Sequence, residues 1–309
     1  MLHRIPLRLL CSAAIALSCS APAWAQKPGK AAPPSAEEEW PSIEGKWHVL
    51  LFHEADKNLL DRPEGKNSVV TISDKQLQWI SAEGKPLFTA DCTWKQVGSP
   101  RWDVDVTPEG EATQERVALP GIATVFDKDI LKVSWRRREH LGRGRPNGFA
   151  GDRYQAFFLL SRRPLGSPPP GNVNLVGQWQ LLTAMDDSLE KIGSGRSSAV
   201  VEFGKDSFDW KGRPQDQRGG FAGGYTLDFS TQPTRINFNV TTPPPGKGAT
   251  PTPLDGFVPG IVEFLDEDTV RLCYAESGWR DSDPKSRQYP QGFYSDGNIN
   301  LWIFRRPKP

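Results

Sequence analysis

The chain repeats itself once, and this repeat constrains its fold more than any other feature. Six segments of the first half recur in the same order in the second, with an offset that drifts only from about 131 to about 144 residues. The matched pairs are Gly45-Lys46-Trp47 with Gly177-Gln178-Trp179, Val70 to Trp79 with Val201 to Trp210, Trp102 to Thr107 with Ile236 to Thr241, Gly121-Ile122 with Gly260-Ile261, Pro146 to Phe149 with Pro290 to Phe293, and Arg162-Arg163-Pro164 with Arg305-Arg306-Pro307. Ordered self-similarity of this kind indicates a tandem duplication.

Each copy reads as about eight short strands separated by Gly, Pro and Asp turns. Trp102, Val104 and Val106 alternate with Asp103 and Asp105, a period of two that gives one buried and one wet face. The strands are expected near 46–54, 67–73, 76–81, 87–95, 101–107, 116–126, 130–137 and 153–163, and near 178–185, 199–204, 207–211, 221–229, 234–241, 257–265, 269–275 and 298–306. Sequential strands with tight turns predict an all-β chain of two tandem eight-stranded up-and-down antiparallel barrels.

The first residues have the pattern of a secretory signal peptide. Arg4 and Arg8 precede an apolar run over 9–17, and Ala23-Trp24-Ala25 supplies the small residues that signal peptidase accepts. We therefore expect a signal over 1–25 and a periplasmic or extracellular protein, with lipidation at Cys19 as the weaker alternative. No later stretch approaches the roughly 20 apolar residues of a membrane span.

Composition divides the remainder of the chain. Residues 26–40 are rich in Ala, Pro and Glu and predict a disordered spacer. A Pro/Gly linker over 165–175 contains three consecutive prolines that cannot join a sheet, so it separates a first barrel over 41–164 from a second over 176–309.

Charge and cysteine content exclude several classes of protein. Removing 1–25 leaves 36 basic against 37 acidic residues, a net charge of −1, which offers no general attraction to nucleic acid. Cys92 and Cys273 then remain, one in each copy. Two thiols rule out a disulfide-rich scaffold, but they leave open either a single bridge or two separately buried thiols.

No signature of catalysis is found. There is no Gly-x-Ser-x-Gly, no His-Glu-x-x-His and no Walker loop, and only three histidines lie beyond residue 25. The sequence therefore predicts a protein that is not an enzyme and that needs no metal or cofactor.

The ends of each copy resemble the lipocalin and calycin signature, in which Gly-x-Trp on the first strand is paired with an Arg at the end of the last. The resemblance implies that Trp47 and Trp179 plug one end of each barrel. It also implies that one arginine of each pair, Arg162/Arg163 and Arg305/Arg306, stacks on the indole while the other faces solvent.

A closer similarity is to a planctomycetal family of conserved hypothetical domains found in exported, sometimes tandem, proteins. The second copy carries it best, through its opening Gly-Gln-Trp, its late hairpin over 260–274 and Pro290 to Phe293 before the final strand; the first copy departs with Ser134 at the position of Cys273. The resemblance implies a lipocalin-like barrel without a settled activity.

The candidate ligand site lies at the barrel mouth, opposite the plugged end. Simple alternation puts Val49, Leu51 and His53 on the face of Trp47, so His53 with its neighbour Glu54 is expected at the first mouth. Met185 stands at the corresponding place in the second copy. A small apolar or amphipathic ligand is the expected occupant; the alternative is a half-exposed histidine with no ligand.

Two loops and the aromatic residues leave a second function open. The basic run Arg136 to Arg145 is either an anion or docking site or a solvated loop, and the Pro/Gly loop over 241–256 is a further candidate contact. The repeated tryptophans serve either as packing or as a ligand cavity. The alternative to a binding protein is a structural or interaction module of the cell envelope whose barrels are solid.

Overall fold

The computed structural model describes most of both repeats. The described residues are 42–54, 57–58, 65–98, 100–109, 116–126, 128–149, 154–166, 174–185, 199–211, 222–242, 252–253, 257–275, 288–293 and 299–307. The expected signal peptide, the spacer, the middle of the linker, Asp127, and residues 243–251 and 254–256 of the 241–256 loop lie outside these residues.

Within its described residues the first repeat has nine strands and a short 3-10 helix. The strands are β1 (Gly45–Glu54), β2 (Lys57–Asn58), β3 (Val69–Ile72), β4 (Gln76–Ile80), β5 (Pro86–Gly98), β6 (Arg101–Pro108), β7 (Leu119–Phe126), β8 (Ile130–Arg136) and β9 (Gln155–Ser161). The 3-10 helix spans Arg138–Arg143, between β8 and β9.

The described residues of the second repeat form another nine strands. They are β10 (Gly177–Met185), β11 (Val200–Phe203), β12 (Ser207–Lys211), β13 (Ala222–Asp228), β14 (Thr234–Thr242), β15 (Thr252–Pro253), β16 (Val258–Phe264), β17 (Thr269–Ala275) and β18 (Ile299–Arg305).

Each repeat closes into an antiparallel barrel of eight strands. In the first, β1 pairs with both β3 and β9; in the second, β10 pairs with both β11 and β18, and β13 pairs with β14. The two-residue strands β2 and β15 are additions to the edges of β1 and β14. The predicted fold class, two tandem up-and-down barrels, is confirmed.

Alternating side chains fill each barrel from inside. On β6 the buried Val104 and Val106 point inward, as their period-two pattern predicts. Gly121 and Gly260 stand at equivalent inward positions, where an added Cβ would meet a backbone carbonyl at 2.5 and 2.6 Å, respectively. Glycine is required there because the strands approach too closely for any side chain.

A β-bulge interrupts the first strand of each barrel. The pairing of β1 with β9 shifts between Val49 and Leu51, and the pairing of β10 with β18 shifts between Leu181 and Thr183. A bulge inserts one extra residue, so the inward and outward positions exchange after Leu50 and after Leu182.

Some outward-facing side chains are as buried as the interior. Phe157 and Leu159 on β9, and Ile303 on β18, point away from their own barrel but are 0% exposed. Another outward-facing residue, Lys132 on β8, reaches the second barrel, where its ammonium donates to the Leu182 carbonyl at 2.5 Å. The described parts of the two repeats are therefore in contact on this side.

The two described cysteines, Cys92 and Cys273, are buried thiols that form no disulfide. Cys92 lies inside the first barrel, where burial raises the pKa of its thiol to about 12, and Cys273 lies on the outward face of β17. The alternative of two separate thiols describes this structure.

Candidate functional site: the mouths of the two barrels

The closed end of each barrel is built around a tryptophan. The Trp47 indole donates to the Ile43 carbonyl at 2.8 Å, and the Trp179 indole donates to the Leu175 carbonyl at 2.6 Å. The Arg162 guanidinium lies 4.1 Å from the centre of the Trp47 ring, and that of Arg306 lies 4.3 Å from Trp179. Both arginines also donate to carbonyls of the segment that precedes the first strand.

The two Arg-Arg-Pro segments are not in the same structural register. Leu160 pairs with Val49, and Phe304 pairs with Leu181, so Arg162 corresponds to Arg306. The sequence match aligned Arg162 with Arg305, one residue too early. The strand partners decide the alignment, whereas a repeated Arg-Arg leaves it ambiguous.

The remaining arginine of each pair, expected to face solvent, lies near a carboxylate of the other barrel; Arg163 is partly exposed, whereas Arg305 is buried. Arg163 binds the Asp268 carboxylate of the second barrel at 2.8 Å, while Arg305 is 2% exposed and lies 4.0 Å from Asp129 of the first barrel. Both therefore serve the contact between barrels, because the outward face at this end is the face that the other barrel covers.

An aromatic cluster fills the first barrel just inside its open end. Phe52 packs against Phe158 at 4.4 Å and Trp79 at 4.7 Å between ring centres, and Phe88 stacks on Trp135 at 5.7 Å. Phe52, Trp79, Trp135 and Phe158 are all buried. The protein's own rings thus occupy the space that a ligand would need.

The second barrel has a different lining at the same depth. Trp210 stacks on Trp302 at 4.6 Å, and Tyr274 meets Trp302 edge-on at 4.6 Å. Strand pairing places Ala184 where the first barrel has Phe52, and Asn300 where it has Ala156. This mouth therefore combines aromatic walls with one small side chain and one buried amide.

The bulge overturns the expected orientation of the residues at the first mouth. Phe52 points inward, so His53 points outward; His53 pairs with Phe157 and is 3% exposed. Glu54 is the residue on the inward face, and burial raises its pKa, opposed by the nearby Arg137. Met185 lies in β10, but its side chain is outside the described residues.

The basic run between β8 and β9 is largely engaged within the first barrel. Arg145 binds the Asp105 carboxylate at 2.8 Å and the Val104 and Gly121 carbonyls, and Arg143 stacks on Tyr154 at 3.8 Å. The Arg145 guanidinium also lies 3.5 Å from the Asp103 carboxylate, so Asp103 and Asp105 are bound by an arginine and do not simply face water. An anion site is not favoured where these arginines already have partners.

Sequence reasoning missed Ala184 and Asn300. A small residue beside a strand end carries no chemical signal, and Asn300 looks like an ordinary polar position. Aligning the two copies could have identified them, but the correct alignment depends on the bulge in the first strand and on the one-residue shift of the last strand.

The fold and site define a two-barrel protein with apolar, aromatic interiors. Among the described residues no group of three or more His, Cys, Asp or Glu side chains is placed to hold a metal ion. Within the same residues no helix is long and apolar enough to cross a membrane. Comparisons with protein-family models and with curated proteins find no match.

Proposed function

We propose that this is an exported, non-catalytic binding protein whose second barrel holds a small apolar or amphipathic ligand at its mouth. The observation that supports this most is the replacement of Phe52 and Ala156 by Ala184 and Asn300. The replacement removes a large ring and adds a buried polar group beside Trp302. Apolar walls with a few placed polar groups are the usual composition of small-molecule sites.

The first barrel has a different role in this proposal. Its five clustered rings pack on one another within 4.4 to 6.4 Å, so it serves as a solid support. The two functions expected from the sequence, a binding module and a solid barrel, then belong to different halves of one chain.

A filling substitution tests the ligand site. The purified protein is exposed to a lipid and metabolite extract and examined by native mass spectrometry, as wild type and as Ala184→Phe. The matched control is Ala222→Phe, the same change at an exposed position on β13. We expect an adduct on the wild type and on A222F, and its loss in A184F; an adduct that persists in A184F would show that the ligand binds elsewhere.

A second candidate function, protein interaction, is favoured by two exposed apolar side chains. Val97 and Phe229 are 48% and 58% exposed, and they lie at the tips of equivalent hairpins, β5–β6 and β13–β14. The Phe229 turn is ordered by Asp228, whose carboxylate accepts hydrogen bonds from the Ser230 amide and hydroxyl. Crosslinking in the native envelope should capture a partner that the double variant V97S/F229S loses; recovery of free protein alone would argue against this function.

A further inference from the structure

The bulge in β10 decides which residue lines the second mouth. Leu181 pairs with Phe304 and Ala184 pairs with Trp302, and the rings of Phe304 and Trp302 both contact Trp210 inside the barrel. Without the extra residue at Leu182, strict alternation from Leu181 would place Thr183 and Met185 inward instead. The proposed ligand site therefore depends on the bulge.

A residue of the other barrel holds this bulge. The Lys132 ammonium, on the outward face of β8, donates to the Leu182 carbonyl at 2.5 Å, and it also lies 5.6 Å from the Phe126 ring centre. A bulged residue leaves the regular ladder, so its carbonyl requires another donor. Lys132 supplies that donor across the contact between barrels.

The cost of placing a charge there indicates a specific role. Burial lowers the pKa of Lys132 to about 8, which means that its ammonium has lost much of its hydration. Buried ionic groups stabilise a fold poorly, and their best-attested use is to fix one register among alternatives. The register fixed here is that of β10.

The equivalent position in the second barrel has other partners. Arg271 on β17 corresponds to Lys132, since Val133 pairs with Phe158 as Leu272 pairs with Trp302. Its guanidinium binds Glu263 at 2.5 and 2.6 Å and stacks on Phe293 at 4.1 Å. Arg271 lines a groove together with Leu50, the extra residue of the bulge in β1. The mouth that this bulge shapes belongs to the first barrel and is already filled by aromatic rings.

We propose that Lys132, a residue of the first barrel, is a positioning residue for the ligand mouth of the second: it holds the Leu182 bulge that turns Ala184 inward. This inference rests on the proposed function of that mouth. It also explains why a solid barrel is fused to a binding barrel, because the first supplies a contact that the second needs.

The test compares four variants of the full protein with a neutral fluorescent probe, N-phenyl-1-naphthylamine. We expect Lys132→Met to weaken probe binding about 10-fold without lowering the thermal midpoint. Lys132→Arg, which keeps a donor, should bind within about twofold of wild type. Arg271→Met is the matched control and should leave binding unchanged, while Ala184→Phe should abolish it.

A second measurement reports on the bulge directly. Hydrogen exchange should quicken at the amides of 181–184 in K132M but not in R271M. Unchanged exchange and unchanged affinity in K132M would overturn the inference, and so would a loss of affinity that merely follows a lower thermal midpoint. If A184F binds the probe as wild type does, or if wild type binds none, the proposed function fails; exchange at 181–184 still decides the role of Lys132.

Discussion

The two barrels share strand order and closure, but they place their bulky side chains at different depths. The first concentrates rings at its mouth, in Phe52, Trp79, Phe88, Trp135 and Phe158. The second has further rings deeper inside, where Phe203, Phe208, Tyr225 and Phe238 occupy the positions of Ile72, Leu77, Cys92 and Val106. An eight-stranded barrel encloses little more volume than its side chains fill. The two copies thus differ in which side chains line the mouth: the second has Ala184 in place of Phe52, beside the stacked Trp210 and Trp302.

The largest effect is expected from removing a ring at the first mouth. Phe52 is 4% exposed and packs on Trp79 and Phe158, so Phe52→Ala should lower the free energy of unfolding by about 3–4 kcal/mol. Urea unfolding followed by tryptophan fluorescence measures it. A loss below about 1 kcal/mol would mean that the first mouth is not solid and would remove the contrast between barrels.

The next effect concerns the closed ends, where the barrels are alike. Arg162→Ala and Arg306→Ala should each cost about 2 kcal/mol, because each loses a stack on tryptophan and hydrogen bonds to carbonyls. Thermal unfolding of the two variants measures this loss. Near-ultraviolet circular dichroism of Arg305→Ala and Arg306→Ala, each made in a Trp179→Phe background as well, checks the one-residue shift. If the Trp179 contribution to the spectrum changed in Arg305→Ala and not in Arg306→Ala, the sequence alignment would be right and the structural one wrong.

A pH-dependent difference separates Lys132 from Arg271. The folded pKa of Lys132 is about 8 and the unfolded value is about 10.4, so the unfolded chain binds more protons between these values. The free energy of unfolding should therefore rise by about 2 kcal/mol from pH 8 to pH 10.4, and the destabilisation by the buried ammonium is fully present well below pH 8. The unfolding midpoint in urea across this range measures it.

The control for this prediction is the equivalent cation in the second barrel. Lys132→Met should remove the rise in stability with pH, whereas Arg271→Met should keep it, because arginine stays charged throughout this range. A rise that survives in K132M would assign the titration to another group.

The smallest change in stability is expected from the side chain that binds β6 in the first barrel, Arg145, and its counterpart that binds β14 in the second, Tyr289. Arg145 bridges Asp103 and Asp105 in the first barrel, while the Tyr289 hydroxyl donates to the Asn237 side chain at 2.6 Å in the second. Arg145→Ala should cost about 1 kcal/mol and less at high salt; Tyr289→Phe should cost about 0.5–1 kcal/mol independently of salt. Equal salt sensitivity of the two variants would show that the charge of Arg145 does not contribute to its effect on stability.

Most of the fold was predictable because period-two alternation survives on the strands that face water on one side. Val104 and Val106 against Asp103 and Asp105 are an example, and the predicted strand boundaries there match β6 closely. The mouth was not predictable, since Val49 to His53 are buried without a break and show no alternation to follow. In a strand that is buried on both faces, a bulge leaves no change in the hydrophobic pattern by which it could be recognised.

The duplication and the eight barrel strands of each copy could be derived from the sequence alone, because local patterning and turn chemistry are recorded residue by residue. Tertiary structure alone decided that Glu54 rather than His53 faces the first mouth, that Arg306 rather than Arg305 covers Trp179, and that Lys132 reaches Leu182. Each of these depends on which strands pair and on what the other barrel covers. Those contacts join residues 50 to 127 positions apart in the chain, where no local pattern records them.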